Sequence, residues 1–130
     1  MAALNATKAT GEGSDAPREY WKTQFHAEFA PPEEVKAAVE NGHLIDVSYR
    51  NDVCPSFSTP KFEHGEKDLR LWVHPASPKD REYEVPRYAV TYYDWTNYDI
   101  DQSELYVGDD IVAAMNCLFA ESKKRDADKA

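Results

Sequence analysis

The sequence predicts an α+β domain in which a small antiparallel sheet of about four to five strands carries two packed helices. Between residues 43 and 107, short segments with alternating apolar residues follow one another. The connections between them are short and polar, which favours antiparallel pairing because parallel neighbours need a long crossover. A segment with helical spacing of its apolar residues stands on either side, at 31–42 and 108–125.

The domain boundaries follow from where large apolar residues begin and end. Residues 1–18 contain almost no apolar side chain larger than Ala, so burial could not offset the entropy lost on ordering, and we expect a flexible N-terminal arm. Residues 19–126 form the single predicted α+β domain, and residues 127–130 a frayed tail. A chain of 130 residues can bury about two-thirds of its unfolded surface, enough for a core.

The first segment of the domain, Glu19–Ala30, fits two structures. Trp21, Phe25 and Phe29 recur at four-residue spacing, as on a helix face, but every second residue from Trp21 to Phe29 also alternates, as on a strand. The aromatic enrichment favours the strand. In either case we expect the three large rings to point to one side, toward the core.

The first predicted helix begins at Pro31-Pro32, because proline suits a first turn in which its missing N–H costs nothing. Glu33 and Glu34 then complement the positive end of the helix dipole. Gly42 should end the helix in the left-handed conformation. The narrow apolar stripe of this helix comprises Val35, Ala38 and Val39.

Five strands are predicted after this helix. They are His43–Tyr49, Phe57–Phe62, Leu69–His74, Tyr83–Asp94 and Glu104–Val107. Pro60 predicts that the second of them lies at a sheet edge, since proline cannot donate to a ladder. In the first, Ile45, Val47 and Tyr49 face one side and Asp46 and Ser48 the other.

The second helix is predicted to begin at Gly108-Asp109-Asp110. Asp109 is the expected N-cap, and Asp110 would lie in the first turn, where a carboxylate is favourable. The residues expected to pack on the sheet are Ile111, Met115, Leu118 and Phe119. Lys123-Lys124-Arg125 complements the negative end of the dipole.

Negative charge is concentrated in residues 88–122. The chain has 24 acidic and 15 basic residues, a net charge of -9, and these 35 residues hold seven carboxylates and no Lys or Arg. They therefore contribute -7, and the other 95 residues -2. The acidic excess argues against direct binding of nucleic acid, which requires clustered Lys and Arg, and favours a basic protein partner.

Neither the membrane nor the secretory pathway is indicated. No apolar run reaches the roughly 20 residues that a membrane span requires. The N-terminus lacks the apolar region of a secretory signal, so we expect a cytoplasmic location. Cys54 and Cys117 are then interpreted as small buried thiols in a reducing compartment.

Neither catalysis nor a cofactor is predicted. The chain lacks the G-x-S-x-G, H-E-x-x-H and Gly-rich phosphate-binding motifs. Asn97, Asp99 and Asp101 alternate as the first ligands of an EF-hand do, but Gln102 and Gly108 stand where that loop needs Gly and Glu. Zinc-like spacing is missing from the scattered histidines, which are His26, His43, His64 and His74. We therefore predict no metal site.

The preferred hypothesis is a non-enzymatic protein-binding module that engages a basic surface through residues 92–110. Carboxylates there are interleaved with Trp and Tyr, which are enriched at interface hot spots. The predicted partner-binding residues are Asp94, Trp95, Tyr98, Asp99, Asp101, Glu104, Asp109 and Asp110. A narrower form is an inhibitor that mimics nucleic acid and occupies the basic groove of a nucleic-acid-binding complex, as small phage-encoded inhibitors of restriction or CRISPR complexes do.

Two alternative functions stay open. A small enzyme or ligand-binding domain would use a crevice between sheet and helix, with His64, His74 or Cys54. An oligomerising accessory protein would form a homodimer through strand faces that carry Trp72 and Tyr93. The simplest interpretation of the acidic residues is that they aid solubility.

Overall fold

The computed structural model describes residues 20–62, 67–94 and 101–129, without the side chains of 101, 102 and 126–129. Within these ranges the helices are α1 (Tyr20–Gln24), α2 (Glu33–Glu40) and α3 (Ile111–Lys129). The strands are β1 (Ile45–Asp46), β2 (Ser56–Ser58), β3 (Lys67–Val73), β4 (Tyr88–Asp94) and β5 (Asp101–Gly108). The α+β class is confirmed. The predicted arm at 1–18 and the turn around Asn97 lie outside the described residues.

The five strands form one antiparallel sheet in chain order, β1-β2-β3-β4-β5. The short polar connections therefore predicted the pairing correctly. A bulge interrupts the β4–β5 ladder, since Val90 pairs with Tyr106 but Thr91 pairs with Glu104. The extra residue is Leu105, and it packs against the core together with Tyr106.

One face of the sheet carries the whole core. Its buried side chains are Phe57, Leu69, Leu71, Val73, Tyr88, Val90 and Tyr92. The same cluster includes Val35, Ala38 and Val39 of α2 and Ala114 and Leu118 of α3. Burying a side chain of this size contributes about 1.5–3 kcal/mol. The helices α2 and α3 therefore both pack on this face, and no described helix packs on the other.

The strand prediction for residues 19–30 is wrong. Residues Tyr20–Gln24 form a helical turn, and Ala27–Phe29 form a 3-10 turn. The N–H of Trp21, which lies in the first turn and therefore has no acceptor within the helix, donates to Asp46 Oδ2 at 2.9 Å. Trp21 is buried, while the Phe25 and Phe29 rings are half-buried with centroids 5.1 Å apart. Contact with a distant carboxylate overrides the aromatic preference for strands.

The first two strands also differ from prediction. Only Ile45–Asp46 of the predicted strand 43–49 is a strand, and its polar side is the buried one: Asp46 and Ser48 are buried, while Tyr49 is 53% exposed. The second, Ser56–Ser58, is not an edge strand, because it pairs with both β1 and β3. Pro60 lies just beyond it, in a 3-10 turn, where no ladder bond is lost.

The fourth strand begins at Tyr88 and not at the predicted Tyr83. The guanidinium of Arg81 donates to the carbonyls of Pro75 (2.8 Å), Val85 (2.7 Å) and Ala76 (3.1 Å). These bonds hold residues 75–87 as a loop and occupy a carbonyl that a longer strand would need.

By contrast, α2 ends as predicted, with Gly42 at φ 80°. No helix in the described ranges has the length and apolar character needed to cross a bilayer.

Candidate functional site

Strands β4 and β5 carry three of the predicted binding residues, Asp94, Asp101 and Glu104, and the register of the two strands sets where these three lie. The ladder starts with Tyr88 opposite Gly108 and ends with Asp94 opposite Asp101. At a rise of about 3.3 Å per residue, its two ends are about 20 Å apart. The two aspartates after Gly108 therefore lie at the far end from Asp94. Among the described residues of the predicted set, Asp94 therefore does not share a patch with Asp109 and Asp110.

Asp110 is the N-cap of α3. Its Oδ1 accepts the N–H groups of Val112 (3.0 Å) and Ala113 (3.2 Å). The Tyr106 hydroxyl accepts the N–H of Asp110 itself at 3.2 Å, which fixes where the helix begins. The prediction that Asp109 is the N-cap is therefore wrong by one residue.

Asp109 faces the loop that Arg81 organises. Its Oδ1 accepts the N–H of Arg87 at 2.9 Å and lies 4.0 Å from Nη1 of Arg81. This carboxylate and that of Asp110 therefore hold the start of α3 and the start of β4 in place. These contacts within the chain give both aspartates a structural role that needs no binding partner.

Asp94 and Glu104 lie on opposite faces of the sheet. Asp94 stands in one row with Lys67 on β3 and Asp101 on β5, so an opposite charge is its direct neighbour on one side. Glu104 pairs with Thr91, three residues before Asp94 on β4, and is exposed on the face away from the helices. Trp95, Tyr98 and Asp99 lie outside the described residues, as does the Asp101 side chain.

No described helix packs on the sheet face opposite to α2 and α3. We call it the open face, and strand alternation assigns it Asp68, Arg70, Trp72, Ala89, Thr91, Tyr93, Glu104 and Val107. Trp72 donates its Nε1–H to Thr91 Oγ1 at 2.8 Å, and its ring lies 5.5 Å from the Arg70 guanidinium. Val107 is 43% exposed. Aromatic and apolar surface is thus held in a fixed geometry there.

The open face and its margin carry net negative charge. Arg70 Nε lies 2.9 Å from Asp68 Oδ1, and its Nη1 lies 3.8 Å from Asp52 Oδ2. Burial raises the pKa of Asp52, the Arg70 charge opposes that rise, and Asp68 adds to it. Glu104 forms no ion pair with a described residue. Of these described side chains, three are carboxylates and one is a guanidinium.

Two of the three residues named for the ligand-binding or enzyme alternative, Cys54 and His74, are described, and both are buried. Burial raises the pKa of the Cys54 thiol to about 12, so it stays protonated and weakly nucleophilic. Burial and the nearby Arg81 charge lower the pKa of His74, whose buried Nδ1 has no partner among the described residues. His64 lies outside the described residues. No group of three or more His, Cys, Asp or Glu among the described residues is arranged to hold a metal ion.

Trp72 and Tyr93 were associated in the sequence with a homodimer, and both belong to the open face. Arg70, Thr91 and Val107 were not identified as site residues. The alternation of Arg70 and Trp72 with Leu69 and Leu71 was the available signal, because it shows that β3 has a second, polar and aromatic face. Which face the helices cover could not be read from that alternation.

Comparisons with protein-family models, with curated proteins and with solved structures find no match to this chain.

Proposed function

We propose that the protein is a non-enzymatic binding module that docks a basic surface of a protein partner on its open face. The observation that carries this proposal is the placement of α2 and α3 on the same side of the sheet, which leaves the other side uncovered by described elements. A sheet face that carries large aromatic side chains is typical of an interaction surface.

The composition of the open face favours a specific kind of contact. Trp72 is half-buried and anchored by its bond to Thr91, so it loses little conformational freedom when a partner covers it. Trp and Tyr are enriched at the centres of interfaces. The charges around them, Asp52, Asp68 and Glu104 against Arg70, complement Lys or Arg on a partner.

The same charge argues against a symmetric dimer through this face. In a two-fold interface the same patch meets itself, so the excess carboxylates of two copies would face each other. Like charges juxtaposed in an interface oppose association. A basic protein partner, unlike a second copy of this chain, would not bring carboxylates together in the interface.

The narrower form of the proposal is that the partner's basic surface normally binds nucleic acid, so that the protein acts as an inhibitor. Its support is the net charge of -9, of which residues 88–122 contribute -7. A protein with this charge is attracted to the same Lys and Arg residues that bind phosphates. This form predicts competition with nucleic acid for one surface.

Photo-crosslinking from positions 93 and 107 in the native host would identify the partner, and titration of the purified partner would test the face. We expect Trp72→Ala to weaken binding at least about tenfold, as loss of an interface anchor does. Glu104→Lys should weaken binding and reduce its salt dependence. Tyr83→Ala and Glu34→Lys change exposed residues elsewhere and serve as matched controls.

The outcomes separate the competing surfaces. Retained affinity in both open-face variants would exclude this face. If Asp101→Lys alone weakens binding, the partner contacts the end of the β4–β5 hairpin instead. Self-association of the free protein in sedimentation, abolished by Trp72→Ala, would favour the homodimer. Nucleic acid that fails to displace the protein from its partner would exclude the narrower form.

A further inference from the structure

A cavity of about 260 Å³ lies between α1, α2 and the first two strands, on the helix-covered side of the sheet. Sites for drug-sized ligands have volumes of about 300–1,000 Å³, so this cavity suits a smaller molecule. Its apolar walls are the buried side chains of Trp21, Val39 and Phe57. None of the described residues that line it belongs to the open face.

Charged groups of both signs share this small cavity. Lys22 and Lys36 line it together with Glu40 and Asp46, so two positive charges stand against two negative ones and the sum is zero. A net anion or a net cation would meet one pair of favourable and one pair of unfavourable charges. A neutral molecule that carries separate positive and negative groups would use both signs.

Asp46 supplies the inner negative charge. The residue is 5% exposed, and its two oxygens accept the N–H groups of Trp21 and Ser48, each at 2.9 Å. Each carboxylate oxygen can accept a second hydrogen bond, so these two bonds leave acceptor capacity. A buried carboxylate that borders a cavity is a partner for an ammonium group.

Lys36 supplies the outer positive charge. Its Nζ lies 6.0 Å from the centre of the Trp21 ring and 3.4 Å from Oε2 of Glu33, whose side chain is 88% exposed. An exposed ion pair of this spacing contributes little, so a ligand carboxylate can take the place of Glu33 at small cost. The Lys36 amine thus borders the cavity beside the Trp21 ring.

We propose that this cavity binds a free α-amino acid with an apolar side chain, with the ammonium group on Asp46 and the carboxylate on Lys36. The apolar side chain packs against Trp21, Val39 and Phe57. This function is separate from docking on the open face, because the two sites lie on opposite sides of the sheet.

Isothermal titration of the full chain with L-leucine and L-phenylalanine tests the proposal. We expect saturable binding of at least one of them. N-acetyl-leucine lacks the ammonium charge and leucinamide lacks the carboxylate, so each should bind at least about tenfold more weakly than leucine. Absence of binding for both amino acids at about 10 mM would overturn the proposal. Equal binding of either blocked analogue would overturn the two-charge recognition.

A pair of lysine variants tests the outer contact. Lys36→Ala should weaken leucine binding about tenfold, because a hydrogen bond to a charged group is lost. Lys124→Ala removes an exposed lysine of α3, away from the cavity, and should leave binding unchanged. Asp46 also anchors α1, so the acetylated ligand probes its contact without altering the protein. Glu104→Lys should leave leucine binding intact, which separates this test from that of the open face.

Discussion

The guanidinium carbon of Arg125 lies 3.7 Å from the centre of the Tyr92 ring, which places the second half of α3 on β4 through a cation–aromatic contact. The same guanidinium donates from Nε to Oε1 of Glu121 at 3.1 Å. The sequence assigned Arg125 only to the negative end of a helix dipole. In the structure it covers a side chain of the core cluster.

Removing this cation should destabilise the fold. Arg125→Ala loses the contact with Tyr92, and we expect a loss of about 0.5–2 kcal/mol in the free energy of unfolding. Urea denaturation measures the change. Lys124→Ala, one residue earlier and exposed, should stay within about 0.5 kcal/mol of the unaltered protein. Equal effects of the two variants would show that the ring contact contributes nothing beyond helix charge.

Replacing the N-cap of α3 should have a residue-specific effect. Asp110→Ala leaves two N–H groups of the first turn without their side-chain acceptor, at a cost of about 1 kcal/mol in unfolding free energy. Asp110→Asn keeps an acceptor oxygen and should recover most of that loss. Chemical denaturation compares the two variants. The assignment of Asp110 as the N-cap fails if alanine and asparagine are equally stable there.

His74 should make the fold sensitive to mild acid. Burial and the Arg81 charge lower its pKa in the folded state, so the unfolded chain takes up the proton more readily. The stabilisation is fully present above the ordinary histidine pKa of about 6.5 and is lost as the pH falls through the folded value. Unfolding free energies measured from about pH 7.5 down to pH 5 should therefore decrease.

The charged groups around His74 make this a test of one site. The Arg81 charge contributes to the lowered pKa, and the Nε of Arg87 donates to the His74 carbonyl at 3.2 Å, so a third positive charge would be added beside two guanidiniums. Asp109, which holds both arginines, is the nearby carboxylate. His74→Gln should flatten the pH dependence, whereas the same change at the exposed His43 serves as the control. An unchanged slope in His74→Gln would contradict the assignment.

Cys54 should resist alkylation while the protein is folded. Its pKa of about 12 leaves almost no thiolate near neutral pH, and the residue is fully buried. Iodoacetamide should therefore modify the half-buried Cys117 first, as mass spectrometry of digested protein would show. In Cys117→Ser, labelling should become fast only after urea is added. Rapid labelling of the folded variant would mean that the thiol is accessible.

The parts of the fold that were predictable depend on neighbours in sequence. The alternation of Leu69, Leu71 and Val73 indicates β3, and the stripe of Val35, Ala38 and Val39 indicates α2, because each pattern is the local period of its element. Short polar connections then imply an antiparallel sheet. Such signals need no knowledge of what lies across the core.

The wrong predictions concern segments whose structure depends on a residue far away in the sequence. Asp46 and Trp21 are 25 residues apart in sequence, and a hydrogen bond joins them. This bond holds a segment with strand-like aromatic alternation as a helix. It also holds the polar side of β1 toward the core. No local pattern reports this contact. The result is a buried carboxylate at a position whose sequence context suggests an exposed one.

The candidate site was also predictable only as far as the sequence order reaches. The acidic residues are indeed concentrated along one part of the chain, but the hairpin register places Asp94 and Gly108 at opposite ends of a ladder. The bulge at Leu105 further shifts which residues share a face. The open face depends on which side the helices choose, and that choice is made by the core as a whole.

The buried carboxylate of Asp46 also joins two weak elements into one cooperative unit. A two-residue edge strand and a five-residue helix would each fray easily on their own. Asp46, which belongs to the strand, accepts hydrogen bonds from the N–H of Trp21 in the helix and from the N–H of Ser48, two residues beyond the strand. Fraying of either element therefore removes a hydrogen-bond donor from the Asp46 carboxylate while the other element still buries that carboxylate. We therefore expect this edge of the sheet to open together with α1. The amide protons of Trp21 and Ser48 should then exchange with solvent at one shared rate.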